Sequence, residues 1–543
     1  MTRTLLALLL ALTSAPASAA DAALGALLNA RAAAGPVFDG SRLGVPISDP
    51  VRADGDWEAG PAVLERKAAE EPTAPAQPGA AVLPTPVRGL SGGHIGLYPE
   101  SDFVLGTGRC EACRGPREGK WYFLDEVIAT PKTGKPAIVW LGSKEMEEGV
   151  VLSDDGKTAT LADGTALPFA LTPRIDSNRS YWNPDSLAHL KGRKLRIRGE
   201  FAEVDGVRVL VARTVWPEDY RLDLSAKVTS DAMTSEEVDK LVASDKGGAK
   251  QPFETKLLWA KGGSAAGSEG KPVMGFMLNG AQGDDDESLG GHFSMFTGRV
   301  GAGGSMADWM FDNFYGMDSY SEKGIVASMV PMDKYMTDLN SGQSWYRPTY
   351  MLVMVMKDQR VPLQYQERFK DAYADYYAHR TQYDKTTNPC TALIVDPVRG
   401  EGWRIPETGK TPALVARAIA KLASLGGKDP EMEENLYRVL RQEGTHLYPR
   451  AAFDSAAGDV LAMTNAYGTE PAGREYNELE KAIQEDLEAV YWVRLPQIPS
   501  SRAYGRDPAG GFLDYFGRVP MDRSKWQTVP TQPRPFPPPG ARP

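Results

Sequence analysis

The hydrophobic pattern changes character along the chain. Between residues 100 and 222, short runs of β-branched and aromatic residues are separated by Gly and Asp turns, which is typical of β-strands. Residues 250–400 mix strand-like and helical patterns. From Thr411 onward apolar residues recur mostly at helical spacing. The chain is therefore predicted to have an α+β fold.

The mixed region contains several apolar runs of strand length. The run "TYMLVMVM" is apolar on both faces, so we expect it to lie centrally in a sheet. The segment 362–383 that follows it has a helical period of aromatic and apolar residues. The strand candidates are 271–278, 292–300, 305–316, 324–333 and 349–356.

The earlier strand-like region ends in a long hairpin, with the turn "EVDGVR" at 203–208. A handful of short strands of this kind predicts a small barrel whose shape resembles an OB-fold. Such barrels often bind oligonucleotides or oligosaccharides. The net charge of −10 argues against a nucleic-acid partner or an anionic membrane, since both usually require a basic surface.

The N-terminus has the features of a secretory signal peptide. Arg3 precedes an apolar run from Leu5 to Leu12, and Ala17-Ser18-Ala19 is a cleavage signal, so we expect cleavage before Ala20. The run is too short to cross a bilayer, and no later stretch is long enough either. The mature protein is predicted to be periplasmic or secreted, in an oxidising compartment.

Composition identifies two segments that are not expected to fold and so completes the prediction of the domain boundaries. Ala, Pro and Glu dominate much of the segment after the signal peptide, and Pro dominates the tail, so neither is expected to fold into a core. The predicted parts are a signal peptide (1–19), a disordered linker (20–90), an OB-like β-barrel (91–225), an α+β domain (226–425), a helical C-terminal region (426–527) and a Pro-rich tail (528–543).

Two of the three cysteines form a CxxC motif. Cys110 and Cys113 are expected to form a local disulfide in an oxidising compartment; a redox role and a metal site are the alternatives. Haem attachment is excluded because Arg114, not His, follows the second Cys. Cys390 stands alone, and an unpaired thiol in an exported protein is a candidate for reactivity.

The residues around Cys390 favour a helix start. Asn388 suits the N-cap and Pro389 the first helical position, and the helix is expected to stop before Pro397. A sulfur on the first turn would be stabilised as a thiolate by the helix dipole, with a lowered pKa. The alternative is that the "CTALIV" segment is buried core that contains a small apolar Cys.

A catalytic thiol needs a base, and the chain has five histidines. His292 opens the strand "HFSMFTGRV" directly after two glycines, which leaves space for a cleft. The alternative is a hydrogen-bonded structural histidine. The other four are His94, His189, His379 and His446.

Two motifs resemble a known family. "GGHFSM", followed about a hundred residues later by "TTNPCTAL", resembles the periplasmic domain at the N-terminus of Lnb-type lipoprotein acyltransferases, and the wider group of permuted, NlpC-like papain-type proteins. The resemblance covers roughly residues 250–400. It implies a permuted papain-like fold with Cys390 as nucleophile and His292 as base. The chain departs from it at Pro389, where the closest relatives have Asn directly before Cys, and it lacks their membrane-spanning C-terminal part.

Hairpin geometry suggests a third site residue. The segments 292–300 and 305–316 are expected to be the arms of a hairpin around "GAGG". Counting back from this turn places Asn313 or Asp312 across from His292, and Asn313 is our choice for orienting the ring.

The acidic loop "GDDDES" at 283–288 is the remaining charge cluster. Calcium binding and a solvated loop are both compatible with it, but its spacing is not that of an EF-hand, so no metal site or cofactor is predicted. The predicted function is an exported, thiol-dependent acyl hydrolase or acyltransferase. Its substrate would be a peptide, an amide or a lipid ester of the cell envelope. The alternative is a non-catalytic envelope binding or structural protein.

Overall fold

A computed structural model describes the protein over most of its C-terminal three quarters. For the first part of the chain it describes only the backbone of short strands between 58 and 139. The main described part is 145–527, apart from 172–175, 205, 229–247, 315–327, 340–341, 378–380, 382–387, 425–429, 465–473 and 520–522. The predicted signal peptide, the CxxC motif and the Pro-rich tail lie outside the described residues.

The first strands form a sheet of their own. They pair antiparallel in chain order, from β1 to β5. Their bounds are β1 Glu58–Ala59, β2 His94–Tyr98, β3 Phe103–Arg109, β4 Tyr122–Ala129 and β5 Ile138–Val139.

The next strands pair in a closed cycle, in the order β10-β8-β7-β6-β9. Gly206 has a φ of 77°, the left-handed conformation that the predicted β9–β10 hairpin turn requires. The closed cycle spans only 145–217, whereas the predicted barrel spans 91–225. The predicted range therefore also includes strands that belong to the first sheet. The bounds are β6 Glu145–Leu152, β7 Thr158–Thr160, β8 Ala166–Leu171, β9 Leu195–Val204 and β10 Val207–Pro217, with helix α1 at Pro184–Leu190.

A seven-stranded sheet dominates the rest of the chain, in the order β11-β17-β16-β12-β13-β14-β15. As expected from its sequence, β16 is buried at every position and lies inside the sheet. The bounds are β11 Glu254–Ala260, β12 Pro272–Asn279, β13 His292–Arg299, β14 Met310–Asn313, β15 Ser328–Pro331, β16 Thr349–Met356 and β17 Leu487–Leu495.

Strand β17 corrects the expectation of a helical C-terminal region at 426–527. The helical pattern ends at Asp486, and the "LEAVYWVRL" segment continues as a strand between β11 and β16. A run of β-branched and aromatic residues fits a fully buried strand, and pairing on both edges outweighs the helical periodicity. The sheet therefore crosses the predicted domain boundary at 425.

Helices cover one face of this sheet and help to build its core. Residues of α3, α4, α8 and α9 share one apolar cluster with β12, β13, β16 and β17. The helix bounds are α2 Met332–Thr337, α3 Arg360–Tyr377, α4 Cys390–Gly400, α5 Ala413–Ser424, α6 Pro430–Arg441, α7 Gly444–Leu447, α8 Pro449–Met463, α9 Glu478–Asp486 and α10 Phe512–Arg518. Within the described residues, every helix is too short or too polar to cross a bilayer.

The barrel is joined to the large sheet by buried ion pairs. Arg198 Nε lies 2.6 Å from Asp333 Oδ2, and Arg196 Nε lies 3.2 Å from the same oxygen. Asp333 is fully buried at the start of α2. Asp308 also forms an ion pair with Arg196 and lies 4.0 Å from Arg198 Nη2. The two guanidinium groups of β9 thus share one fully buried carboxylate and a second, partly exposed one.

We predict that Asp333→Asn lowers the free energy of unfolding by about 3–5 kcal/mol, because Asp308 alone then compensates two buried guanidinium groups. Urea denaturation measures this change. Asp154, fully exposed and 3.9 Å from Lys191, is the control, and Asp154→Asn should change stability by less than about 1 kcal/mol. Equal effects of the two variants would contradict the predicted role of Asp333.

Candidate functional site

His292 is the first residue of β13, where it pairs with Asn279 of β12. The chain enters this strand through Gly291, whose φ is 78°. A Cβ on Gly291 would lie 2.5 Å from the Asn279 carbonyl oxygen, so only glycine allows this close approach. His292 is buried, with 3% of its surface exposed.

Asn313 ends the neighbouring strand β14. The β13–β14 register pairs Met295 with Asp312, which places Asn313 one residue further toward the start of β13. The His292 Nε2 and Asn313 Oδ1 atoms are 3.0 Å apart, at hydrogen-bond distance. Because successive side chains of a strand point to opposite faces, Asp312 faces away from this contact. Of the two expected residues, Asn313 is therefore the one that meets the ring.

Cys390 is the first residue of α4, and its N-cap is Pro389 rather than the expected Asn388. The first helical hydrogen bond runs from Leu393 N to the Pro389 carbonyl, at 3.1 Å. The expectation that the helix stops before Pro397 is wrong, since it continues to Gly400. Burial of the apolar side chains around Pro397 in the core outweighs the hydrogen bond that proline removes.

The Cys390 sulfur lies against the start of β13. Its Sγ is 3.8 Å from the Thr391 hydroxyl, and the backbone N–H of Phe293 donates toward it. Phe293 directly follows His292, so the sulfur lies next to the main chain at the start of β13. Phe293 packs in the same apolar cluster as α4, so the alternation of side chains along β13 turns the His292 ring toward the other face of the sheet. Cys390 therefore lies beside the main chain of β13 at His292, although 98 positions separate the two residues in the sequence.

Burial determines the protonation state of the sulfur. Cys390 is 7% exposed, and desolvation raises its pKa. The Phe293 amide, Thr391 and the charge of Arg347 act in the opposite direction but do not cancel the desolvation. The expectation that the helix start lowers this pKa is thus wrong, because the loss of water outweighs the dipole.

His292 is also neutral. Burial, assisted by the positive charge of Arg347, lowers its pKa to about 3, while the hydrogen bond to Asn313 acts in the opposite direction. The Asn313 oxygen can only accept, so Nε2 carries the ring proton, and Nδ1 is the nitrogen that can take one up. The thiol and the imidazole are thus both neutral, and the contact with Asn313 fixes the tautomer of the ring.

Two of the other histidines have structural partners. His189 Nε2 lies 3.0 Å from the Tyr220 hydroxyl, and His446 Nε2 lies 2.8 Å from an Asp396 carboxylate oxygen. His189 lies in a different part of the fold, and His446 contacts α4 at Asp396, six residues after Cys390. The side chains of His94 and His379 lie outside the described part of the chain.

The acidic loop at 283–288 takes part in the fold. Asp284 forms an ion pair with Arg502, and Asp286 accepts a hydrogen bond of 2.8 Å from the Gln527 backbone. Within the described residues, no three side chains of the His, Cys, Asp or Glu type are grouped to hold a metal ion.

Sequence reasoning missed Arg347. This buried residue precedes β16, and its charge affects the pKa of both His292 and Cys390. A lone arginine in the aromatic segment "SWYRPTY" gives only a weak signal, because its neighbours come from distant parts of the chain.

Comparison with known protein families gave no match, and comparisons with curated proteins and with solved structures gave none either. The family resemblance of the two motifs and the catalytic roles of the three residues stay predictions.

We predict that His292 makes the protein sensitive to acid. Its pKa of about 3 in the folded state is below the roughly 6.5 of an unfolded chain, so between these values the unfolded state binds more protons. Its contribution to stability is full above about pH 6.5. As the pH falls toward 3, this contribution decreases by up to about 1.4 kcal/mol per unit. Urea denaturation across this range should show a shallower loss for His292→Gln.

The matched control is His189→Gln, because burial lowers the pKa of His189 to about 4. His189→Gln should also make the loss of unfolding free energy at low pH shallower, but independently of the effect of His292→Gln. The assigned burial of His292 would be refuted if wild type and His292→Gln lost stability in parallel.

Proposed function

We propose that the protein is an exported, thiol-dependent acyl hydrolase or acyltransferase. In this proposal Cys390 is the nucleophile, His292 is the general base and acid, and Asn313 orients the His292 ring. The substrate is a peptide, an amide or a lipid ester of the cell envelope.

The observation that carries the proposal is the 3.0 Å contact between His292 Nε2 and Asn313 Oδ1, beside a sulfur that meets the amide of the next residue, Phe293. A hydrogen bond at Nε2 directs the basic Nδ1 lone pair elsewhere and keeps the ring from rotating. Nucleophile, base and orienting group are the three parts that cysteine acyl transfer needs.

Because the Cys390 thiol and the His292 imidazole are both neutral, the proton must be transferred during the attack on the substrate and not before it. As Sγ attacks the acyl carbon, the thiol proton passes to Nδ1 of His292, so charge develops only with the substrate bound. The imidazolium then gives this proton to the leaving amine or alcohol, and the bond between the acyl carbon and the leaving group breaks. The product of this half-reaction is a Cys390 thioester.

The second half-reaction reverses the roles. His292 takes a proton from a water molecule or from an acceptor amine or alcohol, which attacks the thioester carbon. The proton then returns to the departing sulfur. Water gives hydrolysis and an acceptor gives transfer.

The proposal includes a fold assignment. The region of the large sheet is proposed to be a permuted papain-like domain, supported by the order of a His strand before a Cys helix. The cycle β6–β10 is proposed to be OB-like, which is supported by its five short strands and its long hairpin. A periplasmic or secreted location is proposed from the sequence features at residues 1–19.

Burial favours the second candidate, a non-catalytic envelope protein. Cys390 and His292 are both largely inaccessible to solvent, and the pKa of the thiol is raised. In that case the His292–Asn313 contact stabilises the sheet edge, and Cys390 is core. The two candidates differ in whether the sulfur can be acylated.

We predict that an activated ester, p-nitrophenyl acetate, acetylates Cys390. Mass spectrometry after an acid quench should find one acetyl group on the peptide that contains this residue. His292→Ala should slow acetylation by about 100-fold or more because it removes the base. Asn313→Ala should slow it less, since the base remains but its tautomer is no longer fixed.

The matched control is His189→Ala, which removes a partly buried histidine elsewhere in the fold and should leave the rate unchanged. Cys390→Ser should retain the wild-type circular dichroism spectrum. Acetylation at the same rate in wild type and His292→Ala, or none on Cys390, would favour the non-catalytic alternative.

A further inference from the structure

Arg347 is a guanidinium group held in place by neutral partners. Its Nε lies 2.8 Å from Gln343 Oε1, its Nη2 also contacts this oxygen, and its Nη1 lies 3.4 Å from the Gly280 carbonyl oxygen. Arg347 is 4% exposed and Gln343 is 1% exposed. The side chain is therefore fixed in orientation, but its charge is not neutralised by these contacts.

A buried charge normally has a counter-ion, because an uncompensated one is costly. Arg502, buried nearby, pairs with Asp284, and Arg198 pairs with Asp333. Arg347 has no such carboxylate among the described residues. The contacts with Gln343 and Gly280 use three of its five N–H groups, which leaves one on each terminal nitrogen.

The backbone connects Arg347 with the candidate site. Gly280, which accepts from Nη1, directly follows Asn279, and Asn279 is the cross-strand partner of His292. The guanidinium thus lies at the same end of the sheet as the start of β13. Its charge lowers the pKa of both His292 and Cys390, which agrees with this position.

We propose that Arg347 binds a carboxylate group of the substrate, next to the acyl bond that Cys390 attacks. This inference rests on the proposed function and adds a substrate class to it: an acyl compound that carries a free carboxylate near the scissile bond, such as an acidic peptide. One carboxylate neutralises the single positive charge, and its two oxygens match two N–H donors on different terminal nitrogens.

The alternative is that Arg347 only stabilises the Cys390 thiolate, so that its free N–H groups act on the sulfur and not on a substrate carboxylate. A sulfur is a single acceptor, and it already receives the Phe293 amide. Binding of a substrate carboxylate predicts discrimination between charged and neutral reagents, whereas thiolate stabilisation predicts an equal effect on both.

The test compares alkylation of Cys390 by iodoacetate, which carries a carboxylate, and by the neutral iodoacetamide. Rates are followed on the Cys390 peptide by mass spectrometry, using the full chain. The ratio of the iodoacetate rate to the iodoacetamide rate should exceed that of free cysteine in the wild type. It should fall by about tenfold in Arg347→Gln, because the attraction of unlike charges is lost.

Gln343→Glu is the second variant, because it places a carboxylate at Arg347 without removing the arginine. The ratio should fall in this variant also, which separates charge compensation from loss of the side chain. The control is Arg506→Gln, an exposed arginine whose Nη2 donates to the Gly283 carbonyl at 2.9 Å. This variant removes one positive charge, as Arg347→Gln does, but it should leave the ratio of the iodoacetate rate to the iodoacetamide rate unchanged.

An unchanged ratio in both variants overturns the carboxylate site but leaves the proposed function intact. Equal slowing of both reagents also overturns it, since Arg347 would then act on the thiolate alone. A wild-type thiol that neither reagent modifies overturns the proposed function together with the inference.

Discussion

Main-chain pairing holds β13 between β12 on one side and β14 on the other. The pairs Asn279–His292 and Met295–Asp312 fix this register. A slip of one residue would turn every side chain of β13 to the other face and would separate the imidazole from Asn313. It would also move the Phe293 amide away from the Cys390 sulfur. The geometry of the candidate site thus depends on strand pairing rather than on any single side chain.

Much of the sheet could be predicted from the sequence, because its signals are local. The doubly apolar run of β16 and the positive-φ glycine of the β9–β10 turn are readable without tertiary information. The hairpin count indicated Asn313 but placed it directly across from His292. The register puts Asn313 two positions along from that place, where the period of two keeps it on the same face as the ring. Strand β17 could not be predicted this way, since its neighbours β11 and β16 lie far from it in the sequence. For the same reason the sequence did not reveal that α4 continues through Pro397. The neighbouring side chains of Pro397 pack into a core that is built from distant parts of the chain.

The electrostatics of the site could not be predicted from local signals. A helix start suggests a stabilised thiolate, but burial of Cys390 acts more strongly and raises the pKa. His292 is neutral for the same reason. A neutral pair can still transfer a proton once a substrate excludes water and aligns the groups. Arg347 then supplies the permanent positive charge at this end of the sheet, and it comes from a segment that no motif indicates.

The state of the His292 ring tests the central claim most directly. The chain contains only five histidines, so nitrogen NMR of a histidine-labelled sample gives few signals, and His292→Gln identifies the relevant pair. At about pH 7 we expect a neutral ring with its proton on Nε2, and we expect both signals to shift when methyl methanethiosulfonate blocks Cys390. A proton on Nδ1, or a ring that does not respond to the blocked thiol, would contradict the assignment of Cys390, His292 and Asn313 to one reactive unit.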